Sequence, residues 1–405
     1  MKYCLLILAC AAAASAVPLH GQAILDRLDE ALTFSTAHDS IRARLSGTLD
    51  LEGYAFTRPA PGLIDAPGNA LFNPRLTLFL DSQIGPKLYL FAQARLDRGF
   101  DPADQLPQLR LDEYALRITP WEDGRFNVQI GKFATVVGNF GERHLPWDNP
   151  FINAPLLYEN VTAASDVDAP LNAAEFSRGG ATEKYDHLPL IWGPSYASGL
   201  SVAVKAGKFS FAAELKNAAL ASRPESWDLT SVNLSHPTVS GRIGWQPAPA
   251  WNFGFSASDG AYLRAESADS LPQGRGIGDY HEILLGQDAS FAWHHLQIWA
   301  ECYEARFQVP RVGNAGSLAY YLEAKYKFNS GLFGALRWNQ QLFRHIDTRE
   351  GTDVALGDDI WRIDAAVGFR FTAQTQVKLQ YSLQNEDSAA GRYGHLVAGQ
   401  LTVRF

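Results

Sequence analysis

Reading back from Phe405, every second residue is apolar or small: Val403, Leu401, Gly399 and Val397 follow in turn, with Arg404, Thr402, Gln400 and Ala398 between them. A period of two places one set of side chains on each face of an extended strand. The pattern recurs upstream. Val377, Leu379, Tyr381 and Leu383 alternate with Lys378, Gln380, Ser382 and Gln384, and Trp361, Ile363, Ala365, Val367 and Phe369 alternate with Arg362, Asp364, Ala366, Gly368 and Arg370. The alternation predicts sixteen strands, at 43–54, 75–84, 88–97, 110–119, 125–132, 199–206, 208–216, 238–246, 250–258, 281–290, 295–304, 318–328, 332–342, 360–371, 377–385 and 395–405. Each is close to the ~9–11 residues that a tilted strand needs to cross a bilayer.

The connections alternate as well. Short turns are expected at 84–87, 120–124, 206–208, 246–250, 291–294, 329–331 and 372–376, and longer links at 57–74, 98–109, 217–237, 259–280, 307–317 and 343–359. Short turns at one end and long loops at the other is the arrangement of an antiparallel transmembrane barrel, and an even strand count puts both termini on the short-turn side. The expected fold is therefore all-β, a sixteen-stranded antiparallel barrel over 41–405.

A cation on the lipid face at the midplane costs about 2–4 kcal/mol, so charge is expected to point inward. Lys132 shares the outward parity but stands at a strand end, where that penalty fades. Trp121, Phe126, Phe209, Trp245, Trp251, Phe328, Phe371 and Phe405 fall near the short turns or the C-terminus and are expected to form an aromatic girdle at headgroup level. A soluble sandwich would have to bury Arg95, Arg117, Arg242, Arg337, Arg362 and Arg370 in its core, which disfavours that architecture.

Residues 1–23 are expected to be a secretory signal: Lys2, an apolar run from Leu5 to Ala14, and cleavage after Ala23 or after Ala16. Cys4 and Cys10 would leave with it, so Cys302 would have no intramolecular partner. Residues 24–40 read as a short lead-in with helical spacing. A net charge of -8 argues against a nucleic-acid partner. Ten histidines show no metal-ligand spacing, His294-His295 reads as a tight turn, and neither a Gly-x-Ser-x-Gly elbow nor a His-Glu-x-x-His motif occurs. No cofactor, metal or catalytic residue is expected.

The longest link, 133–198, joins the fifth and sixth strands. Asn139 to Ile152 within it mixes aromatics and prolines with charges, which suits packing inside the barrel better than a solvated linker. A folded cap over the barrel mouth is the other reading of this segment.

The sixteen-strand plan, the long loop after strand five and the terminal Phe405 resemble general bacterial porins. Ile130-Gly131-Lys132-Phe133, with Gly138 following, looks like the strand-to-loop junction of phosphate-selective-type porins, and Gly286-Gln287-Asp288-Ala289-Ser290-Phe291 through Glu301 is similar to their later hairpin. The chain departs from the lysine-rich constriction which that second resemblance implies. Residues 135–197 hold Lys184, Arg143 and Arg178 against the acids Glu142, Asp148, Glu159, Asp166, Asp168, Glu175, Glu183 and Asp186. A general porin implies an acidic loop facing a basic wall, with rings of charge tuning selectivity. The constriction-loop candidates are Glu142, Asp148, Glu159, Asp166 and Asp168. The pore-lining candidates are Arg44, Arg95, Arg117, Arg242, Lys325, Arg337, Arg362, Arg370 and Lys378, with Arg95 and Arg117 expected to face the loop acids.

The implied function is passive diffusion of small hydrophilic solutes or ions through a water-filled barrel in the bacterial outer membrane. The resemblance also implies a homotrimer in contact with lipid, with outward Gly47, Gly53 and Gly399 admitting a neighbouring protomer. An outer-membrane barrel enzyme of lipase or protease type, or a soluble all-β exported binding protein, are the alternatives. Against an enzyme, the outward positions offer only an isolated His395 and no matching serine.

Overall fold

In lipid every backbone N–H and C=O must find a partner within the protein, and strands can supply them all only by closing the ladder on itself. The computed structural model describes residues 31–36, 40–57, 63, 66, 68–97, 108–177, 186–227, 232–347, 353–387 and 393–405. Among them sixteen strands close in this way: β1 (Ile41–Phe56), β2 (Ala70–Ile84), β3 (Leu88–Asp97), β4 (Gln108–Ile118), β5 (Phe126–Phe133), β6 (Ala197–Ala206), β7 (Phe209–Lys216), β8 (Thr238–Trp245), β9 (Trp251–Ala261), β10 (His281–Trp293), β11 (Leu296–Val309), β12 (Gly313–Lys327), β13 (Leu332–Phe343), β14 (Ile360–Arg370), β15 (Thr375–Glu386) and β16 (Gly394–Arg404). Every pairing is antiparallel between chain neighbours, and β16 returns to β1 with Leu396 opposite Phe56 and Arg404 opposite Thr48. All sixteen expected strands are present.

Below the β16 contact the seam is continued by other residues. Phe405 exchanges two backbone hydrogen bonds with Gly47, at 2.9 and 3.0 Å, and Thr33–Ser35 pairs with Arg42–Arg44. This part of the lead-in is strand. Residues 1–30, with the expected signal, lie outside the described residues. At Gly47 the outer face is covered within the same chain: a Cβ there would lie 2.6 Å from the ring of Phe405.

Burial is inverted relative to a water-soluble protein. Leu336 is 62% exposed on the outside, whereas Arg337 beside it is 1% exposed on the inside. The short-turn girdle is present, with Trp121, Phe209, Trp245, Trp251, Phe328 and Phe371 all exposed. Trp245 and Trp251 both stack on Phe253, and Trp251 tilts against Phe291. The outward face is not free of charge, contrary to expectation. Asp259, Glu304 and Arg306 point outward, Asp259 bonded to His281 at 2.5 Å and Glu304 paired with Arg344 at 3.0 Å. From Trp251 to Asp259 a strand rises ~27 Å, or ~21 Å along the normal at ~40° tilt, so these charges mark the outer edge of the hydrocarbon.

The 307–317 link is shorter than expected. β11 and β12 continue above that edge and meet in a turn at Pro310, Arg311 and Val312, because a hydrogen-bond ladder can continue in water after the apolar pattern has ended. Arg311 takes φ +60° in this turn. Elsewhere the short turns and long links alternate as expected.

One bulge defeats the period-two rule. The β3–β4 register slips between Gln93 and Ala94, leaving Asp112 as the extra residue on β4. Arg110 and Asp112 therefore point inward together with Glu113 and Arg117. Lys132 does not face lipid either: it is buried, and its ammonium donates to the Leu111 carbonyl beside the bulge at 2.8 Å.

Candidate pore

Residues 134–177 leave β5 at the level of Phe133, and the first part of the segment runs along the inner wall from strand to strand. Several of the strands it passes contribute polar clamps. On β7, Glu214 accepts from the Thr135 hydroxyl at 2.5 Å and the Val136 amide at 3.2 Å. On β9, Ser256 accepts from the Gly138 amide. On β11, Glu301 accepts from the Asn139 and Phe140 amides and, through its other oxygen, from the Tyr158 hydroxyl at 2.5 Å. Only glycine fits at 138, where φ is +76° and a Cβ would meet the Tyr158 hydroxyl at 2.7 Å.

The clamps continue around the barrel. Arg143, from the segment, reaches Glu323 on β12 at 2.6 Å and the Tyr321 hydroxyl at 2.9 Å, with its guanidinium 4.6 Å from the Trp299 ring. Lys378 on β15 donates to the carbonyls of Pro146, Asn149 and Phe151 at 2.7, 3.0 and 3.0 Å. Gln380 accepts from the Ile152 amide. Arg337 on β13 donates to Asp364 on β14 and to Asn153 and Ala154 of the segment, with its guanidinium 4.2 Å from the Phe151 ring. Arg362 on β14 pairs with Glu159 at 2.5 Å and donates to the Ala154 carbonyl. A segment so fastened is a lining of β7–β15, held by charge-assisted bonds to backbone and side chain.

The wall also offers this segment apolar surface. Leu284, Tyr303, Phe307, Ala315 and Ala319 point inward near the long-link end and are fully buried under Leu156, Leu157, Leu190, Ile191 and Trp192. A uniformly polar lumen was the expectation. Here the inward face of β10–β12 is greasy because its partner is protein, not water.

The constriction-loop candidates separate into two places. Glu142 and Asp148 are exposed to the lumen and Glu159 is locked to Arg362. Asp166 and Asp168 lie instead at the long-link end. Asp166 pairs with Arg223 of the β7–β8 link at 2.5 Å, and burial pushes its carboxyl up to about 6 despite that arginine. Asp168 borders a 210 Å³ cavity together with Glu175, Asp186 and Tyr262.

Nor do Arg95 and Arg117 face the loop acids. Arg95 pairs on its own wall with Asp112 at 3.0 Å and with Asp97, and Arg75 and Arg110 complete this network with Asp50, Glu52, Asp97 and Asp112. Arg117 lies near the short turns, bonded to Gln129 and stacked near Tyr89 and Phe91. Arg242 pairs with Asp288 at 2.6 Å. Lys325 sits 4.5 Å from the Phe333 ring, and Arg370 and Arg404 both lie against the Trp147 ring, at 4.7 and 4.2 Å. The sequence reading missed Arg75, Arg110, Asp112 and Arg143. Arg75 carries the inward parity of Asp81 and was legible; the bulge hid the next two, and no strand pattern exists to orient Arg143.

Opposite the lining, β2–β4 keep a 340 Å³ space between Phe79, Asp81, Phe91, Gln93 and Glu113 on the wall and Glu142, His144 and Leu145 on the segment. His144 fixes the segment there. Its Nδ1 meets the Gly141 carbonyl at 2.6 Å and its Nε2 the Tyr196 hydroxyl at 2.7 Å, and burial lowers its pKa to about 4. Among the described residues no group of histidine, cysteine and carboxylate side chains could hold a metal ion. His395 meets Tyr381 at 2.8 Å on the outer face, with no serine among these contacts.

A closed sixteen-stranded antiparallel barrel, apolar outside and charged inside, is the fold of the bacterial outer-membrane porins. Among solved structures, Salmonella typhi OmpF in complex with daunomycin is similar at a TM-score of 0.57 and 12% identity, covering 92% of this chain and 100% of that one. The anion-selective porin from Comamonas acidovorans is similar at 0.55 and 10%, over 90% and 100%. The outer membrane channel DcaP of Acinetobacter baumannii is similar at 0.57 and 10%, over 92% and 99%. At these identities the likeness is one of fold. No protein-family model and no curated protein sequence matches the chain.

Proposed function

We propose that this protein is a diffusion channel of the outer membrane, passing small hydrophilic solutes or ions between the fastened lining and the β2–β4 wall. The observation that carries the reading is the inverted burial: a charged interior enclosed by an apolar exterior serves water inside and lipid outside. The pore-lining arginines and lysines act in this reading as fixed charge and as clamps, with Glu142, Asp148 and Asp81 bordering the passage. No chemical step is involved. A homotrimer is part of the proposal, resting on the porin fold and on the smooth outward Gly53–Gly399 pair at the seam.

Reconstitution into planar bilayers tests it. The expected result is stepwise single-channel conductance and liposome swelling that falls off with sugar size. Purified folded protein that conducts nothing, or that hydrolyses lipid or peptide, would overturn it in favour of a barrel enzyme. Migration on a gel before and after heating reads the oligomer.

A further inference from the structure

The fixed charges of the inner wall are sorted along the barrel axis. Arg44, Arg117, Arg242, Lys325, Arg370 and Lys378 all lie within four residues of the short-turn ends of their strands. Arg42, Lys205, Lys327 and Arg404 lie there too, so among the described residues this ring holds ten cations, against the two acids Asp81 and Glu323. Farther along the strands the balance reverses. Six inward cations (Arg75, Arg95, Arg110, Lys216, Arg337 and Arg362) stand against eleven inward acids, running from Asp50 and Glu52 on β1 to Glu386 on β15. The exposed loop acids Glu142 and Asp148, the latter within the field of Arg370 and Lys325, leave the short-turn end strongly positive.

We propose that this axial sorting makes the channel a rectifier, with a basic short-turn half that gathers anions and an acidic long-link half that gathers cations. The inference rests on the channel reading above. Fixed charge along a narrow low-dielectric wall raises the local counter-ion concentration, about 2.7-fold for each kT of potential. A voltage positive on the long-link side drives cations in through the acidic half and anions in through the basic half. Both accumulate where the halves join, and conductance rises. The opposite voltage empties the join, and conductance falls. Salt removes the effect once the Debye length, ~14 Å at 0.05 M, shrinks to ~3 Å at 1 M.

Single channels in planar bilayers, recorded in symmetric 0.05 M and 1 M KCl, test this. Orientation is read by one-sided streptavidin addition to a biotinylated Arg311→Cys, Cys302→Ala protein. The expected result is about twofold or greater asymmetry between equal and opposite voltages in 0.05 M KCl, larger with the long-link side positive, and its disappearance in 1 M KCl. The Lys205→Gln, Lys327→Gln, Arg404→Gln variant, confirmed as folded by heat-modifiable migration, should lose asymmetry and shift its reversal potential in a salt gradient toward cations. Linear currents in 0.05 M KCl, the opposite polarity, or asymmetry untouched in the triple variant would overturn the rectifier while leaving the channel standing. A folded protein that passes no current would remove the channel reading and this one with it.

Discussion

Replacing Arg362 with methionine tests whether the wall holds the long segment in place. The arginine is fully buried and donates at 2.5 Å to both the Glu159 carboxylate and the Ala154 carbonyl. Methionine fills most of the same volume and removes the donors. Asp364 keeps Arg337 at 2.8 Å, and Glu159 keeps the Asn153 amide at 3.2 Å and the Ala154 N–H at 3.1 Å. The loss is therefore two charge pairs, with Glu159 and, at 3.1 Å, with Asp364, and one charged bond to backbone. Removing one partner of a buried pair costs about 3–5 kcal/mol. Burial already pushes the Glu159 carboxyl up, so without Arg362 it takes a proton more readily, and the lower end, about 3 kcal/mol, is expected. At ~1.4 kcal/mol per factor of ten, residues 152–160 should open roughly 100-fold more often. Hydrogen exchange read by mass spectrometry at neutral pH should show that acceleration in this segment, with β13 protected as before. Unchanged protection at 152–160 would refute the clamp, and equal acceleration throughout the barrel would show that Arg362 supports the wall instead.

His144 is held neutral well below its usual range, so the stability it contributes is present above about pH 6.5 and is lost as pH falls from there toward about 4. Exchange at residues 141–146 should rise across that window by a factor corresponding to about 2–3 kcal/mol, and His144→Gln should flatten the profile. Leu336→Arg, placed on the lipid face, should cost about 2–4 kcal/mol in refolding into bilayers; a neutral result would put this face away from lipid. Gly47→Leu forces a side chain into the Phe405 ring and should destabilise the seam by about 1–3 kcal/mol, seen as a lower temperature for heat-modified migration. An unchanged temperature would show that Phe405 can move aside.

The sequence by itself determined the wall. Sixteen strands, their number and parity, the short-turn aromatic girdle and the inward arginines away from the β4 bulge were legible, because lipid penalises each outward charge at its own position and a period of two records that penalty residue by residue. Where lipid stops, the record stops: β11 and β12 run on to the Pro310–Val312 turn and carry Glu304 and Arg306 outward, since above the bilayer only the hydrogen-bond ladder constrains them. The bulge at Asp112 is likewise invisible to parity, being a slip between two strands, not a property of one.

What faces what across the lumen was decided by the tertiary structure alone. Glu159 meets Arg362, Arg143 meets Glu323, and Asp166 pairs with Arg223, because residues 135–160 follow the wall from β7 to β15 and the chain then turns to the long-link end. No periodicity encodes that path. Its contacts join residues far apart in the chain, some more than 200 positions, so they depend on the closed barrel bringing those strands around the segment.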